Sequence, residues 1–231
     1  MTTICNTLAA VRGRIATACA AAGRNPSEVR LLAVSKTFDA DAVREALEAG
    51  QTAFGENYLQ EAAGKIDALA GQGAEWHCIG PIQSNKTRLA AEKFDWVQSV
   101  DRLKIAERLS AQRPEHLPAL NVCLQVNIDG GASKSGVAPE GAAALAEAVA
   151  ALPRLRLRGL MTIPEPAADY AAQLTVHRRA RELFDALCAR GLALDTLSMG
   201  MSADVESAIA AGSTMVRVGS AIFGARPKPD A

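Results

Sequence analysis

The sequence carries no surplus of charge, since 25 Lys and Arg face 25 Asp and Glu for a formal net charge of zero. A neutral chain lacks the cationic excess that phosphate backbones and anionic membranes select, so binding to nucleic acid or membrane driven by bulk charge is excluded as its main role. A local basic pocket is not excluded. Long uninterrupted apolar runs are missing too. Segment 1–22 interleaves apolar residues with Arg12 and Arg14, so it reads as an amphipathic helix and neither a signal peptide nor a spanning segment. The five cysteines (5, 19, 78, 123 and 188) form an odd set without a C-x-x-C pair, which argues against a disulfide framework or a structural zinc. Reduced, mostly buried thiols in a cytoplasmic protein are expected. No low-complexity linker divides the 231 residues, so one domain spanning 1–231 is expected.

What is present is a regular alternation. Short β-rich apolar runs at 31–35, 52–54, 76–79, 96–100, 121–127, 157–163, 196–199 and 215–218 read as strands. Stretches rich in Ala, Leu, Glu and Arg at 41–49, 57–69, 84–93, 102–112, 140–152, 172–190 and 203–211 read as helices. Asp39 and Asp101 are placed to cap helix starts, and Gly50, Gly191 and Gly212 follow helix ends. Strict β/α alternation implies a parallel sheet. Eight repeats predict a single α/β (β/α)8 TIM barrel preceded by an extra N-terminal helix, with a doubly wound open sheet as the alternative.

In such a barrel the chemistry sits at the C-terminal ends of the strands. Lys36 follows the first strand on the side of Leu32 and Val34. If that side is the interior, desolvation disfavours its ammonium and yields an amine able to attack an aldehyde; otherwise it is a solvated or salt-bridged lysine. Alternation in Met215-Val216-Arg217-Val218 turns Arg217 inward, where a charge that cannot be shed needs either a buried carboxylate or an acceptor on a ligand. The small residues of Ser198-Met199-Gly200-Met201-Ser202 and Gly219-Ser220 suit a phosphate at the seventh and eighth strand ends. A lysine for an aldehyde, an arginine for a ring acceptor and a phosphate cradle together describe pyridoxal 5′-phosphate, PLP. His77 reads as a hydrogen-bonded packing residue, and His116 and His177 as surface residues. The glycine-rich segment 130–136 lacks P-loop spacing and reads as a mobile loop that brings Lys134 toward an anionic ligand.

The motifs AVSKTF at 33–38, FGENYLQE at 54–61, WHCIGPIQSNK at 76–86, SKSG at 133–136, LMTIP at 160–164, LSMGMSAD at 197–204 and VRVGSAIFG at 216–224 resemble those of the PLP homeostasis protein family. That family's fold is similar to the N-terminal barrel of alanine racemase. The resemblance implies a Schiff-base lysine at Lys36, Asn57 lining the cofactor site, and Arg217 facing the pyridine nitrogen. It implies Ser202, Gly219 and Ser220 at the phosphate, with Met201 in the same loop. It further implies a monomeric PLP carrier without an assigned catalytic reaction, exchanging cofactor with PLP-dependent apo-enzymes. The competing expectations are an amino-acid racemase of alanine racemase type and a sugar-phosphate aldolase using Lys36. Racemisation in that fold uses a tyrosine from a second domain, and the only tyrosines here are Tyr58 and Tyr170, in a chain ending shortly after Gly224.

Overall fold

The computed structural model describes residues 3–131 and 135–225. Helix α1 (Ile4–Ala21) leads into β1 (Arg30–Val34), α2 (Ala40–Glu48), β2 (Ala53–Glu56), α3 (Leu59–Ala68), β3 (Glu75–Cys78), α4 (Thr87–Lys93) and β4 (Trp96–Val100). The chain continues through α5 (Leu103–Gln112), β5 (Leu120–Val126), α6 (Pro139–Ala150), β6 (Leu155–Thr162), α7 (Tyr170–Ala189), β7 (Thr196–Ser198), α8 (Val205–Ala210), β8 (Met215–Val218) and α9 (Ser220–Phe223). The strands close in sequence order into an eight-stranded parallel barrel, with β8 pairing back onto β1. The expected (β/α)8 barrel is therefore the observed fold, and the open-sheet alternative is ruled out.

Alternation sorts the strand residues into two environments. Leu31, Ala33, Val97, Leu124, Val216 and Val218 point outward into the large core beneath the helices, while Leu32, Ala53, Ile79 and Met215 fill the barrel interior. Trp96, Cys123 and Met161 form a second interior cluster. Helix α1 buries Leu8, Val11, Ile15, Ala18 and Cys19 on one face and packs against α2, α8 and α9.

Strands β4 and β8 have the boundaries expected from sequence, and the others differ by one or two residues at an end. Asp39 caps α2, accepting from the Ala42 N–H at 2.9 Å. Asp101 does not cap α5; its carboxylate pairs with the adjacent Arg102, which occupies the N-cap position without a side-chain capping bond. Gly50, Gly191 and Gly212 take the left-handed conformation expected after a helix. The short helix α9 lies outside every segment expected from sequence. His177 is a correction: it is buried, not on the surface, and its Nε2 lies 2.9 Å from Asp204. Contact between α7 and α8 covers it.

His77 is the buried packing residue expected, stacked on Trp96 with ring centroids 5.0 Å apart. Burial, opposed by Glu75, holds its pKa below the ordinary histidine value. Among the described residues no helix is long and apolar enough to cross a membrane, and no cluster of side chains is suited to a metal ion.

Two outcomes are expected. Gly159 sits where β6 shifts register against β5, and a Cβ there would meet the Thr196 carbonyl oxygen at 1.7 Å. Gly159→Ala should cost on the order of 4 kcal/mol, measured by urea unfolding. For His77 the unfolded chain takes up a proton below pH ~6.5 that the folded chain resists, so its contribution falls as pH drops. The slope of unfolding free energy between pH 7 and pH 5 should flatten in His77→Gln.

Candidate functional site

The strand ends at the C-terminal mouth enclose a cavity of about 500 Å³. Lys36, Asn57, Met201, Ser202, Arg217, Gly219 and Ser220 all line it. The structure thus brings these seven residues together, from positions up to 184 apart in the chain (Lys36 to Ser220). Its apolar walls are Val34, Phe38, Ile79 and Ile163. Sequence reasoning did not single these out as site residues, although alternation turns Ile79 and Ile163 inward. Lys134 lies outside the described residues.

Arg217 is 3% exposed. Its Nη1 donates to the Ser198 carbonyl at 2.8 Å and the Ser198 hydroxyl at 2.9 Å, and its Nη2 donates to the Thr162 carbonyl at 2.7 Å. These acceptors are neutral, so the buried carboxylate that sequence left open as a partner is not what holds the arginine. Burial brings its pKa down to about 10, and it remains cationic at neutral pH. Three of its five N–H donors are accounted for, and the side chain still lines the cavity.

Lys36 is half-buried at the end of β1 and follows Val34 into the same cavity. Its two chain neighbours are clamped from behind. Lys65 of α3, itself buried, donates to the Ser35 carbonyl at 2.8 Å, to Glu56 at 2.7 Å and to Glu61 at 2.6 Å. Glu56 also accepts from the Ser35 hydroxyl at 2.7 Å, and Glu61 from the Thr37 N–H at 2.7 Å. Thr37 holds a left-handed backbone with φ of 70°, a strained conformation for a β-branched residue. Burial, countered by Lys65, leaves the Glu56 carboxyl above its usual pKa. Sequence reasoning missed this clamp. The available signal was the i, i+4 spacing of Glu61 and Lys65.

The loop after β7 is held by Asp204. One of its oxygens accepts from the Met201 N–H at 2.6 Å and the other bonds His177. Burial alone would raise the Asp204 carboxyl, but His177 and the Met201 N–H bring it below its ordinary value. Helix α1 reaches the same loop, because Arg14 donates to the Ser202 carbonyl at 2.7 Å while paired with Glu206. Asp204 consumes the Met201 N–H, which is therefore not free for a ligand. No described residue accepts from the backbone N–H groups of Ser202, Ala203, Gly219 or Ser220. A Cβ on Gly219 would meet the Val34 carbonyl oxygen at 3.1 Å, so glycine allows β8 to close against β1 here.

On the opposite wall, Asn57 is fixed by Gly80, where a Cβ would lie 2.3 Å from the Asn57 carbonyl oxygen. The Asn57 side-chain oxygen is buried without a partner. An amine, a cation with neutral hydrogen-bond partners, backbone N–H donors with no acceptor among the described residues and an orphaned amide oxygen fit a small anionic aromatic aldehyde such as PLP.

A family model described as "Alanine racemase, N-terminal domain" matches residues 7–227. A Pseudomonas aeruginosa relative named pyridoxal phosphate homeostasis protein is 64% identical, covering 98% of this chain and 97% of its own. PipY of Synechococcus elongatus, whose structure was solved with PLP bound, is 38% identical with a TM-score of 0.83, covering 96% of this chain and 100% of its own. Clostridium difficile alanine racemase is 14% identical with a TM-score of 0.72, covering 88% of this chain and 54% of its own, and shares the fold alone. Identity of this order across both chains, on a shared barrel, means that this chain belongs to the pyridoxal phosphate homeostasis protein family, built on the alanine racemase N-terminal barrel.

Proposed function

We propose that this protein binds PLP in the cavity at the barrel mouth and serves PLP homeostasis as a carrier and buffer. The observation that carries this reading is the convergence of Lys36 and Arg217 on one cavity, in a family whose PipY member was solved with PLP bound. When bound, PLP supplies an electrophilic aldehyde and, through a protonated ring nitrogen, an electron sink. Lys36 is the residue assigned to the aldehyde. The cationic Arg217 faces the ring nitrogen and disfavours a proton there, because two positive charges would then be adjacent. The backbone N–H groups of Ser202, Gly219 and Ser220 receive the phosphate, and Asn57 flanks the ring. Such a site holds and releases an aldehyde without promoting carbanion chemistry. The reading extends to a monomeric cytoplasmic protein, with its barrel as the single domain and PLP-dependent apo-enzymes as recipients.

Racemisation is less well supported. Tyr58 and Tyr170 are both exposed, and neither lines the cavity.

Borohydride reduction of the PLP-loaded protein should fix the cofactor to Lys36, identified by peptide mass, with the visible absorbance lost. Lys36→Ala should show neither the visible band nor the adduct, and an unchanged chromophore in that variant would sink the lysine assignment. Sustained conversion of L-alanine to D-alanine, in proportion to protein, would overturn the non-enzymatic reading. The clamp makes a separate prediction. Lys65→Met strands Glu56 as a buried acid and should cost about 3–5 kcal/mol of stability. Adding Glu56→Gln should recover much of that stability while labelling of Lys36 stays slower than in wild type, since the Ser35 carbonyl keeps the Phe38 N–H but not the Lys65 ammonium.

A further inference from the structure

A single file of polar side chains runs through the barrel interior from Arg217 to the opposite end. The Ser198 hydroxyl, which accepts from Arg217 at 2.9 Å, donates to Gln98 Oε1 at 2.7 Å. Gln98 Nε2 lies 2.8 Å from His77 Nδ1 and 3.2 Å from the Met215 sulfur. His77 Nε2 lies 2.6 Å from Glu75, and Glu75 is paired with Arg30 at 2.7 Å. Ser198, Gln98 and His77 are each 0% exposed, and none of them lines the cavity.

The direction of every bond in this file follows from its far end. Burial alone would raise the Glu75 carboxyl, but His77 and Arg30 bring it below its ordinary value, so it is an acceptor only. The proton of a neutral His77 therefore sits on Nε2, leaving a lone pair on Nδ1. Gln98 must then present its NH2 to His77, which turns its oxygen to Ser198. Ser198 must donate to that oxygen, and its lone pair is left for Arg217. No link can be reversed alone without placing two donors or two acceptors face to face.

We propose that Gln98 and His77 are positioning residues for Arg217: they hold the Ser198 hydroxyl as an acceptor and so fix the guanidinium against the cofactor ring. This rests on the PLP-binding reading of the cavity and adds to it residues that do not touch the cavity at all. A side chain that merely filled the barrel would affect stability alone. A positioning residue also moves the spectrum of the bound cofactor.

The test compares PLP-loaded wild type with Gln98→Leu, His77→Phe and His77→Gln. The readouts are the visible absorbance and circular dichroism of bound PLP, its dissociation rate, borohydride labelling of Lys36 and the Tm. Gln98→Leu and His77→Phe should still label at Lys36, with a shifted chromophore and dissociation faster by about tenfold. His77→Gln, whose amide can accept from Gln98 and donate to Glu75, should retain the wild-type spectrum even where its Tm falls. In a Ser198→Ala background, Gln98→Leu should shift the spectrum no further. Unchanged spectra and dissociation in folded Gln98→Leu and His77→Phe, with Arg217→Ala altered, would refute the positioning role alone. Failure of wild type to label at Lys36 would instead refute the reading of the cavity. If Gln98→Leu and His77→Phe do not fold, Ser198→Ala decides, because it removes the hydroxyl through which the file reaches Arg217. An unchanged chromophore and dissociation rate in that variant overturn the proposal, and a shifted chromophore with Lys36 still labelled supports it.

Discussion

A guanidinium that cannot give up its charge is buried in the wall of the barrel, and the surrounding structure is arranged to tolerate it. Arg217 needs acceptors, and it finds them on the Thr162 and Ser198 carbonyls, at the ends of β6 and β7. Those oxygens meet it only because β6, β7 and β8 are in register, with Met161 opposite Ser198 and Ser198 opposite Met215. Barrel closure and charge accommodation are thus one constraint. Because the hydrogen-bond acceptors are neutral, the positive charge is solvated by dipoles and only offset at a distance by Asp204, and the mouth keeps an attraction for anions. A chain with zero net charge is in this way strongly asymmetric at one point.

Around that point the site is held from outside the barrel. Lys65 on α3 grips the backbone beside Lys36, while Asp204 and Arg14 grip the loop that presents Ser202. The Lys65 and Asp204 clamps use charges largely removed from water, which are costly to leave unpaired and for that reason tolerate few alternative geometries, whereas the Arg14 clamp is partly exposed. The leading helix α1 is therefore part of the site's scaffold. Its Arg14 holds the loop after β7, and its Thr7 hydroxyl bonds the Ile222 carbonyl of α9 at 2.7 Å.

The barrel was legible in the sequence, and so was the placement at its mouth of Lys36, Arg217 and the small residues around 201–202 and 219–220. Period-2 alternation is a local property, and strand ends are where a barrel carries its chemistry. Arg217 is the clearest instance, whereas a cofactor role for Asn57 came from the family resemblance. What was not legible depended on contacts between elements. Lys65 looks like one more charge on a helix until α3 lies across the end of β1, and His177 sits beside Arg178 and Arg179 in a polar helix until α8 covers it. Asp101 has the right identity for a cap, but the neighbouring Arg102 claims its carboxylate. At Gly159 the register shift interrupts strict alternation along β6, so both Arg158, whose guanidinium lies 4.6 Å from the Trp96 ring, and Met161 reach the interior.

The two residues assigned to the ends of the ligand stand on the first and last strands of the barrel. Lys36 extends β1, Arg217 lies on β8, and these strands pair with Leu32 opposite Arg217. Gly219 lets β8 approach the Val34 carbonyl at the same seam. A ligand gripped by both strands bridges the one junction that joins chain segments nearly two hundred residues apart. Binding and closure of the seam are then thermodynamically linked, since whatever binds only the closed barrel adds to its stability by mass action. The polar file behind Arg217 extends that linkage inward. It ties the guanidinium through β7, β4 and β3 to the Arg30–Glu75 pair, and Arg30 belongs to β1. At the far end the ion pair joins β1 to β3, so the interior hydrogen bonds connect the two seam strands across the lumen, from Arg217 on β8 to Arg30 on β1.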